Sequence, residues 1–113
     1  MKCGQIVLVN YPFTDNSGSK VRPALLVSAD RFNHGDDLVV VPISSVVDAA
    51  DPYSYTLAAD DTFFRDTGLR QTSSVRWTKP LTISRRVLRR RLGQLARGPL
   101  QEIQARMRDL LQS

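Results

Sequence analysis

Short β-rich segments separated by proline- and glycine-containing turns fill the first two thirds of the chain and restrict its fold more than any other feature. Residues 5–11, 24–28 and 38–43 are rich in β-branched residues and leucine, and each segment is too short for a typical helix. Residues 54–57 and 73–77 are two further candidate strands. Several short strands in succession favour a small antiparallel sheet or barrel.

The end of the chain has a different period. Pro99 suits the first position of a helix, and apolar residues then recur on one helical face: Leu100, Ile103, Met107, Leu110 and Leu111. We expect this face to pack on the core, with a contribution to a dimer interface as the alternative. The chain of 113 residues is therefore predicted to form one domain, residues 1–113, that is mainly β with a C-terminal helix on a small antiparallel barrel.

The segments between these elements carry weaker signals. Residues 12–21 combine Pro, Asp, Asn, Gly and Ser and are predicted to form a loop, and residues 62–67 are predicted to form a helical turn. Pro42 has no N–H to donate, so it is expected at a sheet edge or a bulge. Residues 84–91 fit a helix or a strand equally well.

The charge is distributed very unevenly. The net charge is +5 and the isoelectric point is about 10, but residues 1–60 carry −3 and residues 61–113 carry +8. Thirteen of the sixteen basic residues are arginine, the side chain that grips phosphate through a planar fork and stacks on bases. This balance favours a nucleic acid or an acidic protein as partner, with a merely solvated basic surface as the alternative.

Several classes of site are poorly supported. Cys3 is the only cysteine and His34 the only histidine, so a disulfide, a zinc site and a Ser-His-Asp triad are all disfavoured. No phosphate-binding glycine motif occurs, and no cofactor is expected. There is neither a membrane-length apolar run nor a signal-peptide pattern, so we expect a cytoplasmic protein.

The functional groups that remain as catalytic candidates are arginine guanidinium groups and hydroxyl groups. Together they suit one metal-free reaction. In RNA cleavage by the adjacent 2′-hydroxyl, the nucleophile belongs to the substrate. The protein has to position it and stabilise charge on the phosphorane. A guanidinium can supply that stabilisation, although it is a poor general base because it stays protonated.

Three motifs resemble the PemK/MazF family, the toxins of bacterial type II toxin–antitoxin pairs. The most specific is G-S-K-V-R-P-A-L-L-V-S at residues 18–28, which follows G-Q-I-V-L-V at residues 4–9. V-P-I-S-S at residues 41–45 resembles the second family motif, and L-G-Q-L at residues 92–95 precedes the last helix. The resemblance extends over nearly the whole chain.

The resemblance implies a fold, an activity and partners. The fold would be an SH3-like barrel with a C-terminal helix, usually in a homodimer. The activity would be metal-independent, sequence-specific cleavage of single-stranded RNA to 2′,3′-cyclic phosphate and 5′-hydroxyl ends. The protein partner would be a small acidic antitoxin that covers the RNA groove.

The resemblance also assigns two catalytic residues. Arg22 matches the family's catalytic arginine, which contacts the scissile phosphate and is assigned proton transfer in family mechanisms. Ser44 matches the catalytic threonine. Serine keeps the hydroxyl that can hydrogen-bond a phosphoryl oxygen but loses the methyl group that restricts its rotamer.

Four further residues are predicted to contact RNA. Phe13 would stack on a base and Lys20 would meet a phosphate, both from the loop beside the site. For Phe13 a core position after the first strand is the alternative. Ser45 is the second candidate for the hydroxyl. Arg76 is expected to face solvent or RNA, because its larger neighbour Trp77 is expected in the core.

Two alternatives belong to other functional classes. The same barrel serves in a relative by fold as a poison of DNA gyrase without nuclease activity. The absence of the family threonine leaves room for a catalytically inactive nucleic-acid-binding module, which would bind RNA in a salt-dependent way without cutting it.

Overall fold

The chain folds into a bent antiparallel sheet with one helix packed against it. The computed structural model describes residues 1–12 and 19–112. The elements are β1 (Gln5–Pro12), β2 (Ser19–Leu26), β3 (Asp37–Ser44), β4 (Tyr55–Leu57), β5 (Ser73–Val75), β6 (Leu81–Ser84), β7 (Leu88–Gln94) and α1 (Arg97–Leu110). Short 3₁₀ turns lie at Phe32–His34, Phe64–Thr67 and Arg85–Val87.

The order of the strands confirms the predicted fold class. The path through the sheet is β4-β5-β3-β2-β1-β7, and β6 pairs with β3 beside this path. All pairings are antiparallel. The protein is therefore mainly β with a C-terminal helix, as predicted. The barrel is not closed, because no pairing within residues 1–12 and 19–112 joins the outer strands β4 and β7.

The predicted and observed elements differ mainly around charged or polar strands. β2 begins at Ser19, inside the predicted loop at residues 12–21, because its first residues pair with β1 in an unbroken ladder. The ambiguous residues 84–91 divide into a 3₁₀ turn and the first part of β7. β6 was not among the predicted strands. Pairing with neighbouring strands thus outweighs local composition.

The central strands bury both of their faces. Alternate residues of β1, β2 and β3 contribute to two separate apolar clusters, since successive side chains in a strand point to opposite faces. The first cluster contains Ile6, Leu25, Val41, Ile43, Leu57, Phe64, Val75, Trp77, Leu95 and Ile103. The second contains Val7, Val9, Ala24, Leu26, Leu38, Val40 and Ile83. The central strands are packed between these two clusters. Residues at the ends of these strands therefore have fixed positions.

Helix α1 packs on the first cluster through only part of its apolar face. Ile103 is fully buried, and Leu100 and Met107 are partly buried against the same cluster. Leu110 and Leu111 are 47 % and 86 % exposed, so the prediction that they belong to the core was wrong. The apolar face leaves the core after Met107. No helix in the described part of the chain is long and apolar enough to cross a membrane.

Arg85 is the first of five arginines in the basic run at residues 85–91 and connects this run to a distant turn. Its guanidinium donates hydrogen bonds to the carbonyl oxygen of Asn33 and, from Nη2 at 3.1 Å, to that of Gly35. Asn33 is itself 1 % exposed. We expect Arg85→Ala to lower the free energy of unfolding by about 1–2 kcal/mol, because hydrogen bonds from a charged donor are lost.

Arg86 is exposed and its guanidinium makes no such contact with the described residues. Arg86→Ala should therefore change stability by less than about 0.5 kcal/mol. Urea denaturation of the two variants tests this prediction. Equal unfolding midpoints would contradict a stabilising role for the Arg85 guanidinium.

Candidate functional site

A surface cleft lies where β2 and β3 separate. The two strands pair from Leu26 with Val40 to Ala24 with Pro42, and their ladder ends there. Pro23 and Pro42 stand at this end, and neither has an N–H to continue the ladder. Pro42 was expected at a sheet edge or a bulge; it lies instead on an inner strand, where β3 stops pairing with β2 and begins pairing with β5.

Beyond Pro42, the last residues of β3 turn to another partner. Ile43 pairs with Val75 and Ser44 with Ser74, both on β5, and the Arg76 amide donates to the Pro42 carbonyl at 2.9 Å. β2 meanwhile continues along β1 as far as Ser19. The divergence of the two strands leaves an open cleft of about 570 Å³.

The two predicted catalytic residues lie just beyond the end of the β2–β3 ladder. Arg22 is two residues before Ala24 on β2 and pairs with Val9 of β1. Ser44 is two residues after Pro42 on β3 and pairs with Ser74 of β5. They therefore stand on either side of the point where the two strands part, each paired with a different neighbour.

The cleft is lined by cations from three parts of the chain. Lys20 and Arg22 come from β2, Arg70 from the loop before β5, and Arg90 from β7. No Asp or Glu of the described residues lines it. The side chains of Lys20, Arg70 and Arg90 form no hydrogen bond or ion pair with the part of the chain that the structure describes. Four positive charges without a carboxylate suit a polyanion.

Arg90 reaches the cleft through the register of three strands. Leu8 of β1 pairs with Pro23 on one side and with Arg90 on the other. These three residues therefore share a face, and Arg90 is about 10 Å from Pro23 across the sheet. Arg90 is thus the one member of the basic run at residues 85–91 that lines the cleft. The sequence left the run open between a solvated face, phosphate contact and docking of an acidic antitoxin, and it did not indicate which member would face the cleft.

The two candidate hydroxyls are placed differently. Ser44 is half-buried, and its Oγ accepts a hydrogen bond from the Val46 amide at 3.1 Å. This bond orients the hydroxyl and leaves its proton available to a ligand, since a hydroxyl both donates and accepts. Ser45 is exposed and is itself one of the residues that line the cleft; Ser44 is not.

The remaining predicted residues divide between the cleft and other positions. Lys20 lines the cleft. Arg76 does not: it is half-buried, and its Nη2 donates to the Val46 carbonyl at 3.3 Å. Trp77 is 4 % exposed, so its predicted place in the core is confirmed. Phe13 lies outside the described residues.

Cys3 does not have the properties of a catalytic nucleophile. Burial raises the pKa of its thiol, the Asp30 carboxylate raises it further, and a hydrogen bond from Gln104 acts in the opposite direction. A raised pKa reduces the thiolate fraction, which is the reactive form. Among the described residues, no three His, Cys, Asp or Glu side chains come together in a cluster that could hold a metal ion.

Comparison with known proteins identifies the family. The model of a family described as the PemK-like, MazF-like toxin of type II toxin–antitoxin systems matches residues 2–111. The chain belongs to this family. The resemblance drawn from the PemK/MazF motifs is therefore confirmed over nearly the whole sequence. Among curated proteins, none matches the chain significantly in sequence.

Solved structures of PemK/MazF toxins have the same fold. A MazE–MazF complex from Deinococcus radiodurans is 24 % identical with a TM-score of 0.76, covering 98 % of this chain and 95 % of that one. An endoribonuclease in complex with its cognate antitoxin, from a mycobacterial species, is 20 % identical with a TM-score of 0.74 and covers 98 % and 94 %. Mycobacterium tuberculosis toxin MazF-mt6 is 20 % identical with a TM-score of 0.67 and covers 91 % and 93 %.

Proposed function

We propose that this PemK/MazF toxin is a metal-independent endoribonuclease that cleaves single-stranded RNA in the cleft between β2 and β3. The observation that carries the proposal is the lining of that cleft, which among the described residues contains Lys20, Arg22, Arg70 and Arg90 and no carboxylate. A cleft with this charge attracts the RNA backbone.

In this reaction the 2′-oxygen attacks the adjacent phosphorus, and the bond from phosphorus to the 5′-oxygen breaks. The 2′-hydroxyl loses its proton and the 5′-oxygen gains one, so the products are a 2′,3′-cyclic phosphate and a 5′-hydroxyl. Arg22 would donate hydrogen bonds to the non-bridging oxygens, where charge accumulates in the phosphorane. Ser44, oriented by its bond from Val46, would donate its hydroxyl proton to one of the same oxygens.

The partners follow from the family and the charge. An acidic antitoxin would cover the cationic cleft and compete with RNA for Lys20, Arg70 and Arg90. Association of such oppositely charged surfaces is fast and sensitive to salt. The active unit would be a homodimer, as the family resemblance implies. Cytoplasmic RNA would be the substrate.

The test is incubation of the purified protein with a long single-stranded RNA in EDTA, followed by mapping of the new ends. Discrete cuts that persist in the chelator support the proposal. Intact RNA after incubation with a folded protein would overturn it. In that case a supercoiling assay with DNA gyrase would test the toxin activity known for this barrel in a relative by fold.

The same assay separates the two serines. We expect Ser44→Ala to slow cleavage roughly 100-fold, because removal of one donor to a developing oxyanion has an effect of that size. Ser45→Ala should slow it less than about 10-fold, as expected for a contact shared equally by substrate and transition state. Ser44→Thr, which restores the family residue, should retain activity. If Ser45→Ala proved the more damaging variant, the hydroxyl would have to be reassigned to Ser45.

A further inference from the structure

The loop between the second 3₁₀ turn and β5 contributes to the lining of the cleft. Residues 68–71 all line it, as do residues 20–23 of β2. Two of the loop residues, Arg70 and Gln71, are exposed, and Leu69 between Gly68 and Arg70 is partly buried against the main core cluster. The loop therefore presents one cation and one amide above an apolar base.

The beginning of this loop is fixed by close backbone packing. Gly68 has a φ of +73°, and a Cβ at that position would lie 2.2 Å from the Leu92 carbonyl oxygen. Just before it, the buried Thr67 hydroxyl donates to the Phe64 carbonyl at 2.6 Å and accepts from the Leu69 amide at 3.1 Å. Loop and β7 are in direct main-chain contact here, which only glycine permits.

The end of the loop is also fixed, by hydrogen bonds of two side-chain hydroxyls. The Ser73 hydroxyl donates to the Gln71 carbonyl at 2.8 Å. The Thr72 hydroxyl accepts from the Ala59 amide at 2.9 Å. Residues fixed on both sides in this way present their side chains in a constant position, which is what discrimination between ligands requires.

The cleft that Arg70 lines is partly apolar. Leu69, Leu92 and Val21 also line it, and Val21 is 49 % exposed. An apolar surface of this kind accepts the flat face of a base. Lys20 and Arg22, which belong to the same lining, provide for the backbone phosphates.

We propose that Arg70, with Gln71 beside it, recognises a guanine next to the cleaved bond and so determines where this toxin cuts. The planar fork of arginine matches the two acceptors O6 and N7 of guanine. The amide of Gln71 can both donate to and accept from the edge of a base. Bases in single-stranded RNA expose these edges. The inference rests on the proposed ribonuclease activity and deepens it.

The experiment is to sequence the cleavage ends produced from a complex RNA pool by the parental protein, Arg70→Ala and Gln71→Ala. We expect guanine to be enriched at one position near the cut in the parental profile. Arg70→Ala should slow cleavage at guanine-containing sites about 10- to 100-fold relative to all other sites. Gln71→Ala should weaken the same preference to a smaller degree. Arg65→Ala replaces an exposed arginine outside the cleft and serves as the matched control with an unchanged profile.

The outcomes separate this inference from the activity on which it rests. If the parental protein cleaves no RNA, both the proposed ribonuclease activity and the inference are wrong. Normal cleavage with an identical profile in Arg70→Ala overturns the inference alone. A uniform loss at every site in Arg70→Ala also overturns it, since that pattern indicates a phosphate contact. A relaxed profile with an unchanged melting temperature supports it.

Discussion

Replacement of Arg22 by alanine is expected to slow RNA cleavage by at least about 100-fold, the effect of removing one donor that stabilises a developing oxyanion. Arg22 lines the cleft beside the point where β2 and β3 part. There its guanidinium would donate to the non-bridging oxygens of the phosphorane. Because Arg22 is exposed, the substitution should alter the free energy of unfolding by no more than about 1 kcal/mol.

Arg89 offers a matched control for this prediction. It is an exposed arginine on β7 and does not line the cleft. Arg89→Ala removes the same charge from the protein as Arg22→Ala and should cut RNA at nearly the parental rate. Rates measured side by side on one RNA at one salt concentration test the difference. Equal rates for the two variants would mean that Arg22 acts only through net charge.

Gly93→Ala should be the most destabilising small substitution in β7. A Cβ on Gly93 would lie 2.2 Å from the Asp66 carbonyl oxygen and 2.6 Å from that of Thr67. Both atoms belong to the backbone, so neither can move aside as a flexible side chain would. We expect a loss of about 3 kcal/mol, the upper end of the usual cost of overpacking. Thermal unfolding should show a melting temperature lower by about 10–20 °C.

Gly98→Ala is the corresponding control. Gly98 lies in the first turn of α1, and a Cβ there meets nothing within 4 Å. Alanine is the better helix former, so this variant should be as stable as the parent or more stable by up to about 1 kcal/mol. If both variants melted at the parental temperature, the close approach of residues 66–67 to β7 would be wrong. The fixed position of the loop at residues 68–71 would then lose its basis.

The sequence predicts most of the fold because the relevant signals are local. β1 alternates and α1 carries a helical period, so each can be recognised from a few residues. Ser19–Pro23 and β7 could not be recognised in this way. These polar and charged segments form strands only because each segment pairs with β1. Pairing with a segment that is distant in sequence produces no local sequence pattern. Leu110 and Leu111 continue the helical period although the core ends before them.

The candidate site could be predicted only where a motif marks it. Arg22 and Ser44 stand in family motifs, and both lie where β2 and β3 part; their catalytic roles stay predictions. Arg70, Gln71 and Arg90 stand in no such motif. They reach the cleft because Gly68 and Gly93 let two backbones touch, and because Leu8 pairs with Arg90. These contacts depend on tertiary structure, and a basic run such as residues 85–91 does not reveal which member faces the cleft.

The most direct test of the central claim is the chemistry of the cut. An RNA oligonucleotide containing one preferred site is compared with the same strand carrying a single 2′-deoxynucleotide on the 5′ side of the bond, both in EDTA. The account predicts that the all-ribose strand yields a 2′,3′-cyclic phosphate and a 5′-hydroxyl, identified by mass spectrometry, and that the deoxy strand stays intact. Cleavage of the deoxy strand, or a product with a 5′-phosphate, would contradict it, because the nucleophile would then not be the neighbouring 2′-hydroxyl.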